Sequence, residues 1–201
     1  MSDTTVTTTE ASRVVDGRPV PAAGTWTLDP VHSSVGFVVK HLVVAKARGS
    51  FQDYAVDLVI GDRPEDSKVD VTIQAASVTT GDEARDGHLR SPDFFDVEQF
   101  PTLTFRSTSV VPVDDTEWKV TGDLTIHGVT KPVVLDVEFN GVTQDPWGNT
   151  KAGFEASTEV DREDFGLTWN QPLAGGGVLV GKKVKIEIDL EVARAEAPAE
   201  A

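Results

Sequence analysis

The stretch from residue 184 to 192, VKIEIDLEV, sets Val184, Ile186, Ile188, Leu190 and Val192 against Lys185, Glu187, Asp189 and Glu191. A strict period of two is the signature of a strand with one face in an apolar core and the other in water. The same pattern recurs along the chain. Val35, Phe37, Val39, His41 and Val43 share one face, as do Tyr54, Val56, Leu58 and Ile60. Val69, Val71, Ile73 and Ala75 form a third set, and Leu103 and Phe105 begin a fourth. Trp118, Val120, Leu124 and Ile126 follow, then Val133, Leu135, Val137 and Phe139, then Ala152, Phe154, Ala156 and Val160. About eight strands, roughly ten residues apart and each apolar on one face, predict an antiparallel sandwich or barrel. Alternation alone does not choose between these.

The alternation stops between Thr79 and Phe105. Thr80 and Glu83 have capping-box spacing, Asp82 to Arg85 suit a first helical turn, and Pro92 disfavours helix at Ser91. A helical insertion at about residues 81–98 is expected. Phe94, Phe95, Phe100 and Phe105 follow closely, four of the nine phenylalanines of the chain. A short polar helix with an aromatic cluster behind it reads as a plug for one end of a β-structure. A second interruption, DREDFGLTWNQPLAGGGVLVG (161–181), carries Phe165, Leu167 and Trp169 before three glycines. Long loops in compact domains are usually functional or disordered, and the aromatic residues favour function. This loop is expected at the same end as the plug.

A chain of 201 residues suits one such domain, spanning 24–194. Residues 1–23, rich in Thr, Ser and Pro, and residues 195–201 are expected to be mobile tails. The formal net charge of −15 makes nucleic acid and anionic membrane faces poor partners. The absence of cysteine excludes disulfides, thiolate catalysis and zinc–thiolate sites. No run of about 18 apolar residues is available to span a membrane. The first residues have neither a basic n-region nor an apolar h-region, so no signal peptide and a cytoplasmic location are expected.

Motifs for chemistry are sparse. No H-E-x-x-H, calcium loop, nucleophile elbow or phosphate-cradling glycine pattern occurs. Among the histidines, His41 has inward parity near a strand end. His32 lies in a turn after Pro30, His88 on the expected helix, and His127 at an outward turn. Arg85 and His88, three residues apart, share a helix face. They either meet a ligand head group or pair with Asp82, Asp86 or Asp93. Arg162, between Asp161 and Glu163, reads as a surface ion pair or as a cation beside the loop aromatics.

Five blocks in order, LDPVHSSVGFVVKH (28–41), GSF (49–51), DGHLRSPDFFDVEQFPTLTF (86–105), GDLTIHGVTKPV (122–133) and DREDFGLTW (161–169), together resemble the YceI-like family over about residues 24–192. The resemblance implies an eight-stranded, antiparallel, lipocalin-like barrel with an apolar cavity for long isoprenoid, quinone-like or fatty amide ligands. His32, Phe37, His41, Phe51, His88, Phe94, Phe95, Phe105, Arg162 and Phe165 match the family pattern. The chain departs from it in lacking an export signal and in Gly175–Gly177 with Lys182 and Lys183, where an acidic turn is usual.

The leading expectation is a carrier or sequestering protein for one amphiphilic chain. Phe37, Val39, Phe105, Val120, Phe139 and Phe154 would form the wall. Phe51 and His41 belong to the same site, Phe94, Phe95, Phe165 and Trp169 lie near the entrance, and Arg85, His88 and Arg162 meet a polar or anionic head. The rivals are an enzyme using His41 with His32 or His88 as acid or base, and a filled barrel acting as an interaction module. Expected partners are an isoprenoid or other long-chain lipid and, at most, a second copy in a homodimer. No metal, cofactor or stable membrane insertion is expected.

Overall fold

A computed structural model describes residues 12–42 and 44–195. Strands β1 (Ser12–Val15) and β2 (Arg18–Pro21) form a separate hairpin. The main sheet comprises β3 (Gly24–Leu28), β4 (Ser34–His41), β5 (Ala45–Phe51), β6 (Tyr54–Ile60), β7 (Lys68–Gln74), β8 (Val78–Thr79), β9 (Thr102–Pro112), β10 (Glu117–Ile126), β11 (Val129–Gln144), β12 (Thr150–Asp161) and β13 (Val180–Arg194). Helix α1 (Glu83–Arg90) is the one α-helix among the described residues. That helix is neither long nor apolar enough to cross a membrane.

Three pairs of short strands are single ladders with a break. β3 and β4 both pair with β13 and are separated by the turn around Pro30, which cannot donate to a ladder. β5 and β6 break at Gln52 and Asp53, and β7 and β8 at a 3-10 turn, Ala75–Ser77. Counted as continuous ladders, eight antiparallel strands run in chain order, and β13 closes the ring by pairing with β12 on one side and with β3 and β4 on the other. The fold is therefore a closed eight-stranded antiparallel barrel, and closure pairs the edges that an open sheet would expose, except along Ala45–Gly49 of β5, beyond the two-residue pairing with β8.

The two barrel ends are closed differently. At one end Val35, Phe51, Phe94, Leu103, Phe105, Phe165 and Leu167 belong to a single apolar cluster beneath α1 and the loop after β12. At the other, Val20, Trp26, Leu58, Trp118, Phe139 and Val192 form a second cluster beneath the β1–β2 hairpin. Here the structure corrects the expectation of a mobile tail over residues 1–23. Residues 12–21 form a hairpin whose Val20 is only 2% exposed. Arg13 donates to the backbone carbonyls of Gly61 and Asp62, and Arg18 donates to Asp114 O at 3.0 Å, so the hairpin is fastened across the barrel end. The tail expectations for residues 1–11 and 196–201, and the inward placement of Val43, lie outside the described residues.

Candidate functional site

Inside the barrel is a cavity of about 300 Å³, running from Val20 and Pro21 at the hairpin end to Phe94, Phe95 and Phe165 at the helix end. Its lining is apolar apart from Ser67, Lys68, Thr158 and Arg162. Phe37, Val39, Phe51, Phe105, Val120, Phe139 and Phe154 all contribute to the wall. Several inward residues of β4, β12 and β13 are only half-buried, among them Phe37, Val39, Phe154, Ala156, Ile186 and Ile188. In a filled barrel these side chains would meet across the axis and lose all access to solvent. Their residual exposure, together with the cavity they line, marks a hollow interior.

Two glycines let aromatic rings lie flat against the wall. Gly49, opposite Phe37 in the β4–β5 register, has no Cβ to collide with the Phe37 ring. Gly122, beside a bulge in the β9–β10 pairing, leaves room for the Phe105 ring in the same way; a Cβ there would also stand 2.5 Å from the Arg106 carbonyl. Rings laid on backbone occupy the wall rather than the axis.

At the helix end, α1 is capped by Asp82, whose carboxylate accepts from the Arg85 backbone N–H at 3.0 Å. The capping-box expectation for Thr80 and Glu83 is thereby corrected. Thr80 has a different partner, the buried carboxylate of Asp86. Asp86 accepts from the Thr80 hydroxyl at 2.6 Å, the Thr80 backbone N–H at 2.7 Å and the Thr79 hydroxyl at 3.1 Å. The Thr80 hydroxyl is the main reason its carboxyl stays below the usual carboxylate range, against the opposing effect of burial. This network ties α1 to β8. The helix ends at Ser91 as Pro92 dictates, and the chain then turns Phe94 and Phe95 into the barrel.

The expected head-group cations on α1 are engaged elsewhere. Arg85 donates to the Thr80 hydroxyl at 2.7 Å and the Thr80 carbonyl at 3.1 Å, and its side chain is exposed. His88 Nε2 lies 2.9 Å from Asp93, and its ring stands edge-on to Phe94 and Trp169, with centroids 5.0 and 4.6 Å away. Neither Arg85 nor His88 lines the cavity. Trp169 does not line it either; it packs on Phe94 at 5.3 Å from outside and so brings the 161–181 loop to the helix end.

Arg162, expected either as a surface ion pair or as a head-group cation beside the loop aromatics, lies buried at the cavity. It begins the 3-10 turn Arg162–Phe165 and is 5% exposed, not a surface ion pair. Its Nε donates to Gly181 O at 3.0 Å and Nη1 donates to Leu167 O, pinning the loop to the start of β13. Nη2 is buried and has no hydrogen-bond partner among the described residues. Burial pushes the guanidinium pKa down, opposed by the carboxylates of Glu163 and Asp161. Both acids have cations of their own, Lys182 at 2.7 Å and Lys183 at 3.9 Å. One arm of a buried guanidinium at an apolar cavity is thus left with an unmet donor, a costly arrangement unless something accepts from it.

The remaining histidines stand apart from the cavity. His41, despite inward parity, is not among the lining residues; it closes β4 beside the Leu42 turn. His32 reaches outward to Asp29 at 3.3 Å and Glu191 at 3.7 Å. These three groups are close enough to share a cation, but Lys151 already supplies one, with Nζ 2.5 Å from Asp29 and 3.1 Å from Glu191. The Lys151 hydrogen bond holds the Asp29 carboxyl far below the ordinary range, and Asp29 in turn raises Lys151. The cluster works as an ion-pair clasp between β3, β12 and β13. His127 occupies a left-handed turn, φ 51°, stacked on Phe100 at 4.4 Å.

The likeness to known proteins agrees with this architecture. UPF0312 protein SA2479 of Staphylococcus aureus is 44% identical over 174 residues, covering 85% of this chain and 98% of that protein. The YCEI protein of Campylobacter jejuni superposes with a TM-score of 0.67 at 35% identity, over 85% of this chain and 98% of that one. A polyisoprenoid binding domain from Saccharophagus degradans shares the fold, with a TM-score of 0.64 at 16% identity over 85% of this chain and 98% of that domain. The YceI-like domain matches residues 26–192, nearly the whole barrel, and the chain belongs to that family.

Proposed function

We propose that the barrel binds one long-chain amphiphile, an isoprenoid, quinone-like or fatty amide lipid, and sequesters or carries it. The observation that carries this reading is the hollow, almost wholly apolar lumen of about 300 Å³, which falls at the lower edge of the usual size range for ligand pockets. Each methylene withdrawn from water stabilises such a complex by about 0.8 kcal/mol, so chain length dominates affinity. The polyisoprenoid binding domain with the same fold supports the ligand class.

Arg162 supports a head-group preference. Nε and Nη1 each serve one backbone carbonyl, and Nη2, with two N–H donors, has no partner among the described residues. The unmet N–H groups of Nη2 suit an acceptor oxygen on the ligand, such as a carbonyl. Arg85 and His88 are outside the lumen, so the cations at its wall are Lys68 and Arg162. The head group this reading favours carries an acceptor oxygen, such as a carbonyl, placed beside Arg162. The acid–base enzyme reading loses its footing, because neither His32, His41 nor His88 lines the cavity.

The test is titration of delipidated protein with prenyl ketones and acyl amides of increasing chain length. Affinity should rise with each added carbon until the lumen is full. Affinity independent of chain length would overturn the proposal.

A further inference from the structure

Three local rules are broken together where β4 turns into β5. Leu42 adopts φ 51°, a left-handed conformation that costs a residue with a branched side chain and that turns normally assign to Gly, Asn or Asp. Leu42 is 40% exposed and Val44 88%, although both are apolar. Lys40 and Lys46 are direct cross-strand partners, a pairing of like charges that destabilises a sheet. Arg48 lies on the same outer face, two residues further along β5. Lys40, Lys46 and Arg48 have no ion pair or hydrogen bond among the described residues; Lys46 and Arg48 act on Glu187 only at longer range, and Glu187 is already paired with Lys185 at 2.8 Å. A chain with net charge −15 has thus left three cations unpaired around an apolar tip. Local violations without internal compensation are expected where a protein meets something else.

The position of the tip narrows what that is. The Leu42 backbone N–H donates to Leu179 O at 2.9 Å, next to Val178, which is itself 37% exposed. The cavity wall extends to Val39 and Val180, immediately below. Apolar side chains ringed by unpaired lysine and arginine, at the end of a lipid-sized lumen, have the composition of an element that settles into an anionic membrane interface. We propose that this tip docks on an anionic lipid bilayer, with Leu42 and Val44 entering the headgroup boundary and Lys40, Lys46 and Arg48 meeting the anionic headgroups. The choice of a bilayer rests on the lumen reading above, since long-chain amphiphiles reside there. The acidic remainder of the surface is repelled by the same membrane, so only this face can approach, and the asymmetry orients the lumen toward its source of ligand.

The test is co-sedimentation of the full chain with vesicles of phosphatidylcholine alone or mixed equally with phosphatidylglycerol. The chain should pellet with the mixed vesicles and be released by salt. Val44→Asp, and separately the double change Lys40→Glu with Lys46→Glu, should each lower that association by about tenfold or more. Both variants should take up a prenyl ketone supplied from ethanol as the parent does. No association of the parent with mixed vesicles, or equal association of all three proteins, overturns the proposal. So does self-association of the lysine variant with unchanged vesicle binding, because the lysines would then be guarding the edge of β5 or a protein contact. Vesicle binding that survives while no chain-length series binds the lumen leaves docking standing and overturns the lumen reading.

Discussion

Ala156→Phe distinguishes a hollow barrel from a solid one by the sign of its effect on stability. Ala156 faces the lumen from β12, between Val137 of β11 and Ile188 of β13 in register, and is half-buried. A phenylalanine there projects its ring into the cavity of about 300 Å³. In a hollow barrel the ring leaves water and meets apolar walls, a gain of up to about 1.5–3 kcal/mol for a side chain buried in full. That figure is an upper bound, since the unfolded chain already buries part of the ring. In a filled barrel the same ring overpacks the core and costs about 1–3 kcal/mol. Urea denaturation of delipidated parent and variant measures the difference directly, provided the m-value is unchanged. We expect the delipidated variant to be as stable as its parent or more so, and to have lost most of its affinity for a long-chain ketone. A variant destabilised by 1 kcal/mol or more, at equal m-value, would refute the hollow-lumen account.

Other consequences are as specific. Phe154→Asp puts an unpaired carboxylate on the apolar wall and should abolish lipid uptake, with a lowered melting temperature; unchanged uptake would remove Phe154 from the wall. Arg162→Met should weaken a prenyl ketone relative to the hydrocarbon of equal length, because only the ketone can accept from Nη2; equal losses for both ligands would reduce Arg162 to a loop anchor. The Asp29–Lys151 clasp should shape the pH profile of stability. The Asp29 pKa is lowered on folding, so its contribution is complete above about pH 3.9 and is lost as pH falls toward the lower folded value; the Lys151 pKa is raised, so its share is complete below about pH 10.4 and is lost as pH rises through the folded value. Asp29→Asn should therefore flatten the acid limb of the curve, and an acid limb identical to the parent's would contradict the clasp.

The barrel was legible because most of its strands are one-sided. β10, β7 and the Val184–Val192 part of β13 alternate in residue type, and their inward residues are those the period selects. β5 escaped detection for a physical reason: its inward positions are Ala45, Ala47 and Gly49, the last without a Cβ so that the Phe37 ring can lie against it, and small residues carry no alternation. The β1–β2 hairpin was hidden in a Thr- and Pro-rich segment, where Val20 and Pro21 carry the burial and Arg13 and Arg18 the hydrogen bonds that fix it. The wall phenylalanines follow from parity. The polar part of the site does not, because parity is blind to what a long side chain reaches. Arg85 and His88 share a helix face, yet find Thr80 and Asp93. Arg162, flanked by two acids, reads from sequence as a surface ion pair or as a head-group cation, and only the 3-10 turn that folds it inward beneath the loop separates the two.

The central claim is that the lumen holds a lipid, and the most direct measurement is a native mass spectrum of the full chain purified without detergent, followed by solvent extraction of any bound mass. The account predicts a second peak, heavier than the 21.6 kDa chain by one long-chain molecule, whose extract carries an acceptor oxygen in its head, and which Ala156→Phe eliminates. A spectrum of bare protein only, unaltered by prolonged exposure to prenyl ketones and acyl amides, would contradict it.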